Sequence, residues 1–262
     1  MTYEDICYDV DQRVATITFN RPHRLNAFTA QTYLEVTDAV NRAAWDREIG
    51  VIVLTGAGNR AFGVGGDSAV SKGDRVGAGL GIVGNGVEFL QTAIRDAPKP
   101  VIAKVRGYAI GSANVLVTLC DLAIASETAV FGQAGPKMGS VDPGFGTALL
   151  ARVVGEKKAR EIWYLCRKYS AREALEMGLV NAVVADDELD EEVSSWCAEI
   201  NAKSPTALAL AKRSFNADTE NIRGIGQLAF QGLALYLRTD ESREGGDALR
   251  EKRTADFRAA MP

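Results

Sequence analysis

One histidine, four cysteines without a CxxC pair, no long apolar run and no excess of basic residues remove several kinds of chemistry from this 262-residue chain. Lys and Arg number 30 against 34 Asp and Glu, a formal net charge of −4, so nucleic acid has no basic footprint to bind. No apolar stretch reaches the roughly 20 residues a membrane helix needs. The opening MTYEDICYDV is neither basic nor hydrophobic enough for a signal peptide, and the expectation is a cytoplasmic protein. Cys7, Cys120, Cys166 and Cys197 stand far apart among apolar or helical neighbours, the pattern of buried, reduced thiols and not of ligands. His23 stands beside a proline in NRPHRLN, where a surface turn is expected. A metal site is therefore not expected, and a Ser-His-Asp triad would rest on that one residue.

What the chain does have is glycine, 26 residues of it, gathered into a few segments. The most concentrated is FGQAGPKMGSVDPGFG at 131–146, with five glycines, two prolines and a single carboxylate, Asp142. Glycine lets backbone N–H groups approach a ligand and proline stiffens the turns between them, so a lone aspartate here can be placed with precision. The same segment also reads as a structural turn with a solvated aspartate. Two further glycine-rich stretches, AFGVGGD at 61–67 and GYAIGSAN at 107–114, favour a built site.

With 47% apolar and 24% charged residues, the chain has the composition of a globular protein with one large core. The runs 5–10 and 14–20 predict an opening hairpin around DQR, and 29–47 carries apolar residues at helical spacing. VIVLTG at 51–56 is almost wholly apolar, the mark of a strand covered on both faces. The tract 68–86, with glycine at 73, 77, 79, 81, 84 and 86, has little to pack with and is expected to be mobile. Next come a helix in VEFLQTAIRD, a strand in PKPVIAKVRG, a buried helix in NVLVTLCD and a strand in LAIASE. The recurring unit of strand, glycine turn, helix and strand predicts an α/β fold of stacked ββα turns. From 146 onward the pattern is mostly helical. Ser170 and Glu173 form a capping box, Gly178 a stop, and helices are expected over 189–201, 205–216, 222–237 and 240–257. The charged last helix reads as a solvated face, or as a subunit contact bringing cations to a phosphate-bearing ligand.

In order along the chain, NRPHRLNAF, VIVLTGAGNRAFGVGGD, PKPVIAKVRGYAIGSANVL, CDLAIAS, FGQAGPKMGSVDPGFGTALLARVVG and AREALEMGLVNAVV resemble the crotonase (enoyl-CoA hydratase/isomerase) superfamily. The resemblance implies a crotonase-type spiral core with an acyl-CoA site over 1–200. It also implies a helical C-terminal region over 201–262 that assembles a trimer, or a dimer of trimers, and completes the site across the interface. It implies an oxyanion hole for the thioester carbonyl, with backbone N–H donors at Gly66 and Ser112. Ser112 replaces the usual glycine, so its donor requires backbone angles that serine adopts.

The two water-handling glutamates of enoyl-CoA hydratases fall, by motif position, on Val115 and Gly135, neither of which moves a proton. Plain hydration is thereby disfavoured. There remains Asp142, with Ser140 expected to hold it and Gly135 expected to leave room for a water or small anion. FGQAGPKMGSVDPGFG with ARVVGEKKAREIW looks like the branch holding 1,4-dihydroxy-2-naphthoyl-CoA synthase and 2-ketocyclohexanecarboxyl-CoA hydrolase. Where the synthase pattern carries Lys, Arg and Tyr, this chain has Ala69, Ser71 and Leu237, with Tyr236 adjacent. The implied activity is therefore hydrolytic ring opening of a cyclic β-ketoacyl-CoA, without redox cofactor or metal. A ring-closing synthase and a non-catalytic acyl-CoA-binding homologue are the alternatives. Tyr108 is a candidate wall or hydrogen-bond donor, or else a core tyrosine. Arg24, Ala27, Gly65 and Lys252 are candidates for the CoA moiety.

Overall fold

The computed structural model describes residues 2–67 and 86–261. The glycine tract 68–85, with Ala69 and Ser71, lies outside the described residues. No helix among the described residues is long and apolar enough to cross a membrane.

The chain opens with the hairpin β1 (Ile6–Asp11) and β2 (Val14–Phe19), closed by Gln12 and Arg13, both at positive φ. α1 (Ala30–Trp45) follows; Thr29 caps its first turn by accepting the N–H of Thr32. β3 (Val51–Gly56) lies parallel to β2. Its alternate residues do face two apolar layers: Ile52 and Leu54 join the main core, while Val51 and Val53 meet a second cluster with Leu189, Val193 and Cys197. This is the double covering that its unbroken apolar run predicts.

From β3 onward, successive turns of the chain place one strand in each of two sheets. β3, β5 (Val101–Val105), β7 (Leu122–Ser126) and β10 (Ala182–Val184) extend the first sheet, in the order β1-β2-β3-β5-β7-β10. β4 (Ala61–Gly63), β6 (Tyr108–Ile110), β8 (Val130–Gly132) and β9 (Lys168–Ser170) form the second. Between them run α2 (Gly86–Asp96) and α3 (Ser112–Leu119). The strands of the second sheet are only three residues long, too short to carry a period-2 pattern in the sequence, and three of them lie in glycine-rich segments.

After the 131–146 loop, a single π-helical turn (Phe145–Leu149) leads into α4 (Leu150–Val154) and α5 (Glu156–Leu165). α6 (Ala171–Glu176) begins at the expected Ser170–Glu173 capping box, and Gly178 takes a positive φ beyond its end. α7 (Leu189–Asn201), α8 (Pro205–Ala217), α9 (Glu220–Tyr236) and α10 (Asp240–Glu251) complete the chain. The last helix stops earlier than its charge pattern suggests, because Lys252 turns left-handed at φ 56°.

The C-terminal helices are tied to the core by buried cations. Lys212 on α8 donates to the carbonyls of Ile94 and Lys99 and to Asp121. Arg95 on α2 donates to Thr219 and to the Asn216 carbonyl. α9 and α10 then lie against the 131–146 loop of their own chain: a β-carbon on Gly144 would meet Gly226 Cα at 2.7 Å, and one on Gly139 would meet the Ser242 carbonyl. These helices therefore also brace the loop of their own chain, at Gly139 and Gly144. Two of the four thiols also differ from expectation: Cys7 is exposed on the edge strand β1, and Cys166 is half-buried where α5 ends.

Candidate active site

Two glycine turns and the 131–146 loop meet at the start of α3. Phe28 packs on Phe19 and Tyr33, with ring centroids 4.9 and 5.6 Å apart, and fixes the segment that brackets the first turn. Phe28 N–H donates to Gly65 O, and Asp67 N–H donates back to Phe28 O, both at 2.8 Å. That pairing turns the N–H of Gly66 away from Phe28, and among the described residues it has no hydrogen-bond partner. Gly65, at φ 77°, lies so close to α3 that an added β-carbon would stand 3.2 Å from Ser112 N and 3.3 Å from Ile110 O. Only glycine fits there.

Ser112 is the first residue of α3, and its N–H is one of those a helix leaves unpaired. It is not among the residues with positive φ, so serine occupies the position without strain; Gly111, at φ 63° and ψ −127°, makes the turn before it. Two free backbone donors, one at a helix N-terminus, suit an oxygen that gains negative charge.

Asp142 is buried in the loop that the π-helical turn packs against α3. Its Oδ1 accepts the Gly146 N–H at 2.9 Å, and its Oδ2 accepts Gln91 Nε2 from α2 at 2.7 Å. Trp163 Nε1 donates to the Gly146 carbonyl at 2.6 Å and so anchors, from its other side, the residue whose N–H Asp142 accepts. Burial pushes the Asp142 carboxyl up to about 6, against the lowering effect of these two hydrogen bonds.

Three sequence expectations are corrected here. Ser140 does not hold Asp142: its N–H donates to Gly135 O, and Gln91 and Gly146 do the holding. Gly135 leaves no room for water or an anion at its side-chain position, because a β-carbon would stand 2.7 Å from both the Ser140 carbonyl oxygen and Trp163 Cζ3. Tyr108 is no core residue. It is 36% exposed, and its ring packs under Lys168 Nζ, 4.9 Å from the centroid.

The other candidates divide. Val115 is buried in α3 and carries no proton. Arg24 donates to Asp67 at 2.8 Å beside Arg21, which donates to the other carboxylate oxygen at 3.0 Å. Ala27 is buried in the same turn, where its carbonyl accepts from Arg21. Lys252 is exposed at the end of α10. His23 is exposed in its turn, as expected. Tyr236 is half-buried; burial first, and then Glu241, raise its phenol above the ordinary value.

Sequence reasoning missed Gln91 and Trp163. Gln91 left a legible signal, a polar residue on the buried face of α2 beside Leu90 and Ile94; Trp163 left none, because a tryptophan on an amphipathic helix reads as core. A groove of about 480 Å³ between α7 and the first sheet, lined by Lys104, Asp190 and Cys197 among others, contains none of these residues. Among the described residues there is no His, Cys, Asp and Glu cluster able to hold a metal ion.

An α/β spiral with two backbone N–H donors that have no partner among the described residues, and a buried carboxylate in the loop packed on the same helix, points to a class, and comparison with known proteins agrees. Residues 9–260 match the Enoyl-CoA hydratase/isomerase family model. An enoyl-CoA hydratase from Mycobacterium avium subsp. paratuberculosis K-10 is 32% identical, with a TM-score of 0.86 over 98% of this chain and 99% of that one. An enoyl-CoA hydratase/isomerase from Pseudoalteromonas atlantica T6c is 28% identical, with a TM-score of 0.86 over 97% and 100%. A monofunctional enoyl CoA isomerase from M. smegmatis is 29% identical, with a TM-score of 0.71 over 82% and 94%. The chain belongs to the enoyl-CoA hydratase/isomerase (crotonase) family, whose members generally act on acyl-CoA.

Proposed function

We propose that the protein opens the ring of a cyclic β-ketoacyl-CoA, such as 2-ketocyclohexanecarboxyl-CoA, by adding water across a carbon–carbon bond. The observation that carries this reading is the isolation of Asp142. It is the one buried carboxylate in the loop, while the hydratase glutamate positions hold Val115 and a sterically closed Gly135.

Asp142 takes a proton from water as the hydroxide adds to the ring ketone. The tetrahedral adduct collapses, breaking the bond to the α-carbon and leaving a carboxylic acid and a thioester enolate. Gly66 and Ser112 N–H groups hold the enolate oxygen, and the proton on Asp142 passes to the α-carbon. The product is an open-chain dicarboxylic acid mono-CoA thioester. Atoms and charge balance with one water and no electron carrier. The CoA moiety is assigned to Arg24, Ala27 and Gly65, with Lys252 as a phosphate partner, in a trimer or dimer of trimers.

Direction rests on residue chemistry. A condensing enzyme must hold and activate a second carbonyl arm, work suited to cationic and phenolic donors. Here Leu237 ends α9 where the synthase pattern has tyrosine, and the neighbouring Tyr236 is engaged by Glu241.

Incubation of a panel of cyclic β-ketoacyl-CoAs in 18O-labelled water, followed by mass spectrometry, tests the reading. The expected result is a gain of one water, with label in the new carboxylate and the thioester intact. Label in a free acid with release of CoA means thioester hydrolysis. Conversion of o-succinylbenzoyl-CoA instead establishes the synthase, and binding of all these esters without turnover establishes a non-catalytic homologue.

A further inference from the structure

Gln91 is only 1% exposed, and its amide is used on one side alone. Nε2 donates to Asp142 Oδ2 at 2.7 Å, while Oε1 is buried without a hydrogen-bond partner. Leaving a carbonyl oxygen unpaired in a protein interior costs roughly 1–3 kcal/mol. A methionine would fill a similar volume at no such cost, so packing does not account for an amide here. Its value must lie in what it offers Asp142.

An amide differs from every other donor available to a buried carboxylate. Arginine or lysine would add a permanent positive charge and hold the aspartate ionised. A backbone N–H, such as that of Gly146, donates only. Glutamine presents a donor and an acceptor at nearly the same place, exchanged by a half-turn about its last side-chain bond. Facing a carboxylate, Nε2 donates and Oε1 is unpaired; facing a carboxylic acid, Oε1 accepts the acid's O–H and Nε2 is unpaired. Each state keeps one hydrogen bond and leaves one amide atom alone; the bond to the ionised oxygen is the stronger, so the partner favours the carboxylate by a modest margin.

We infer that Gln91 is a positioning residue for Asp142 that stays bonded to it in both protonation states, turning its amide as the proton arrives and leaves. The inference rests on Asp142 being the group that carries the proton in the proposed reaction, where it must first take a proton and then return it.

Among the described residues, the charged side chains around this pair are engaged elsewhere. Arg95, one turn along α2, donates to Thr219 and the Asn216 carbonyl, with its guanidinium 5.3 Å over Phe145. Arg223 on α9 is held by Asp96 and Glu220, and Arg152 on α4 by Asp218. Glu244 on α10 is paired with Arg253. On α1, Glu35 accepts the N–H groups of Glu4 and Asp5, and Tyr33 lies against Gly86 at the start of α2. α3 brings no ionisable side chain, and among the described residues the remaining charges nearby are Glu88 and the exposed Lys137. The raised affinity of Asp142 for its proton has burial as its first cause, with Gly146 and Gln91 lowering it.

Carbon-13 NMR of the 13C-Asp-labelled protein, with the Asp142 carboxyl signal assigned by its loss in Asp142→Asn, tests this without substrate. In Gln91→Met the titration midpoint of Asp142 is expected to rise by roughly one pH unit. The acid limb of kcat/KM should move up by the same interval, and kcat should fall about 10- to 100-fold while KM changes little. Should Gln91→Met fail to fold, the side-chain amide signal of Gln91 in the unaltered protein gives the second readout. Its shift should titrate with the Asp142 midpoint, and the titration should vanish in Asp142→Asn. An unmoved midpoint in folded Gln91→Met, or a Gln91 amide signal indifferent to pH, overturns the inference. Failure of every cyclic β-ketoacyl-CoA to turn over overturns the reaction instead, and the carboxyl titrations still decide the role of Gln91.

Discussion

Trp163 closes the side-chain position of Gly135: a β-carbon there would stand 2.7 Å from its ring, and the Ser140 carbonyl oxygen blocks the other approach at the same distance. The glycine is thus a packing requirement and not a removed catalytic group. Gly135→Glu is expected to recover no enoyl-CoA hydration, followed by loss of the conjugated thioester absorbance. It should also lower stability by about 1–3 kcal/mol in denaturant unfolding, the usual cost of overpacking. A stable variant that hydrates crotonyl-CoA would refute the closed geometry.

Asp142 sets the pH dependence. Its carboxyl is pushed up to about 6, and a base works only when ionised. kcat/KM should therefore fall about tenfold per pH unit below pH 6 and level off above it, in a profile measured with saturating buffer control. A flat profile between pH 5 and 7 would show that another group carries the proton.

Asp142→Asn separates catalysis from stability. Loss of the base should lower kcat by about two to four orders of magnitude with little change in CoA-ester binding. Stability should move the other way. The folded state binds the Asp142 proton more tightly than the unfolded chain, so stability is fully present below the ordinary carboxylate value and is lost as pH rises through about 6. Asparagine escapes that cost: Oδ1 can accept from Gly146, and Nδ2 can donate to the unpaired Gln91 Oε1. The thermal midpoint of Asp142→Asn should exceed the parent's at pH 8 and match it near pH 4. Equal midpoints at both values would show that Asp142 is not destabilised by burial.

The residues visible in the sequence are those whose role depends on backbone. Gly65, Gly111 and Gly144 announce positive φ, Ser170 and Glu173 announce a helix start, and VIVLTG announces a strand covered twice. The four short strands of the second sheet were hidden, since three residues are too few to show a period. Side-chain partners were hidden as well. That Asp142 is held from α2, 51 positions away, and not by its neighbour Ser140, depends on how α2 and the loop stack on α3. Local spacing favours the near partner, while the packed core brings in the distant one.

The loop and the last helices are joined by close backbone contact. Gly144 has φ 87°, and its β-carbon position lies 2.7 Å from Gly226 Cα on α9. Gly144→Ala should thus incur both backbone strain, of order 1 kcal/mol, and displacement of α9. The expected outcome is faster proteolysis within the C-terminal helices and loss of most activity. Gly224→Ala, at an open position on the same helix, should leave both unchanged. Equal protease resistance in the two variants would mean that the loop does not depend on α9.

Ser112 offers a way to remove one backbone donor without removing the fold. It is the first residue of α3, where proline is well tolerated because the N–H has no helical partner and the ring fixes a helical φ. The residue before it is Gly111, at φ 63° and ψ −127°, the mirror image of the extended conformation that proline favours in its predecessor, and glycine adopts it freely. Ser112→Pro should therefore fold, with far-ultraviolet dichroism and melting close to the parent's, while it lacks the N–H assigned to the enolate oxygen. Deleting one oxyanion donor costs about 10²–10³ in kcat in a well-studied case, and a loss of that size with nearly unchanged KM is expected. Ser112→Gly keeps the N–H and should retain activity within a few-fold. If Ser112→Pro folds and turns over normally, the oxyanion is held elsewhere. If Ser112→Gly loses activity as severely, the hydroxyl and not the backbone does the work.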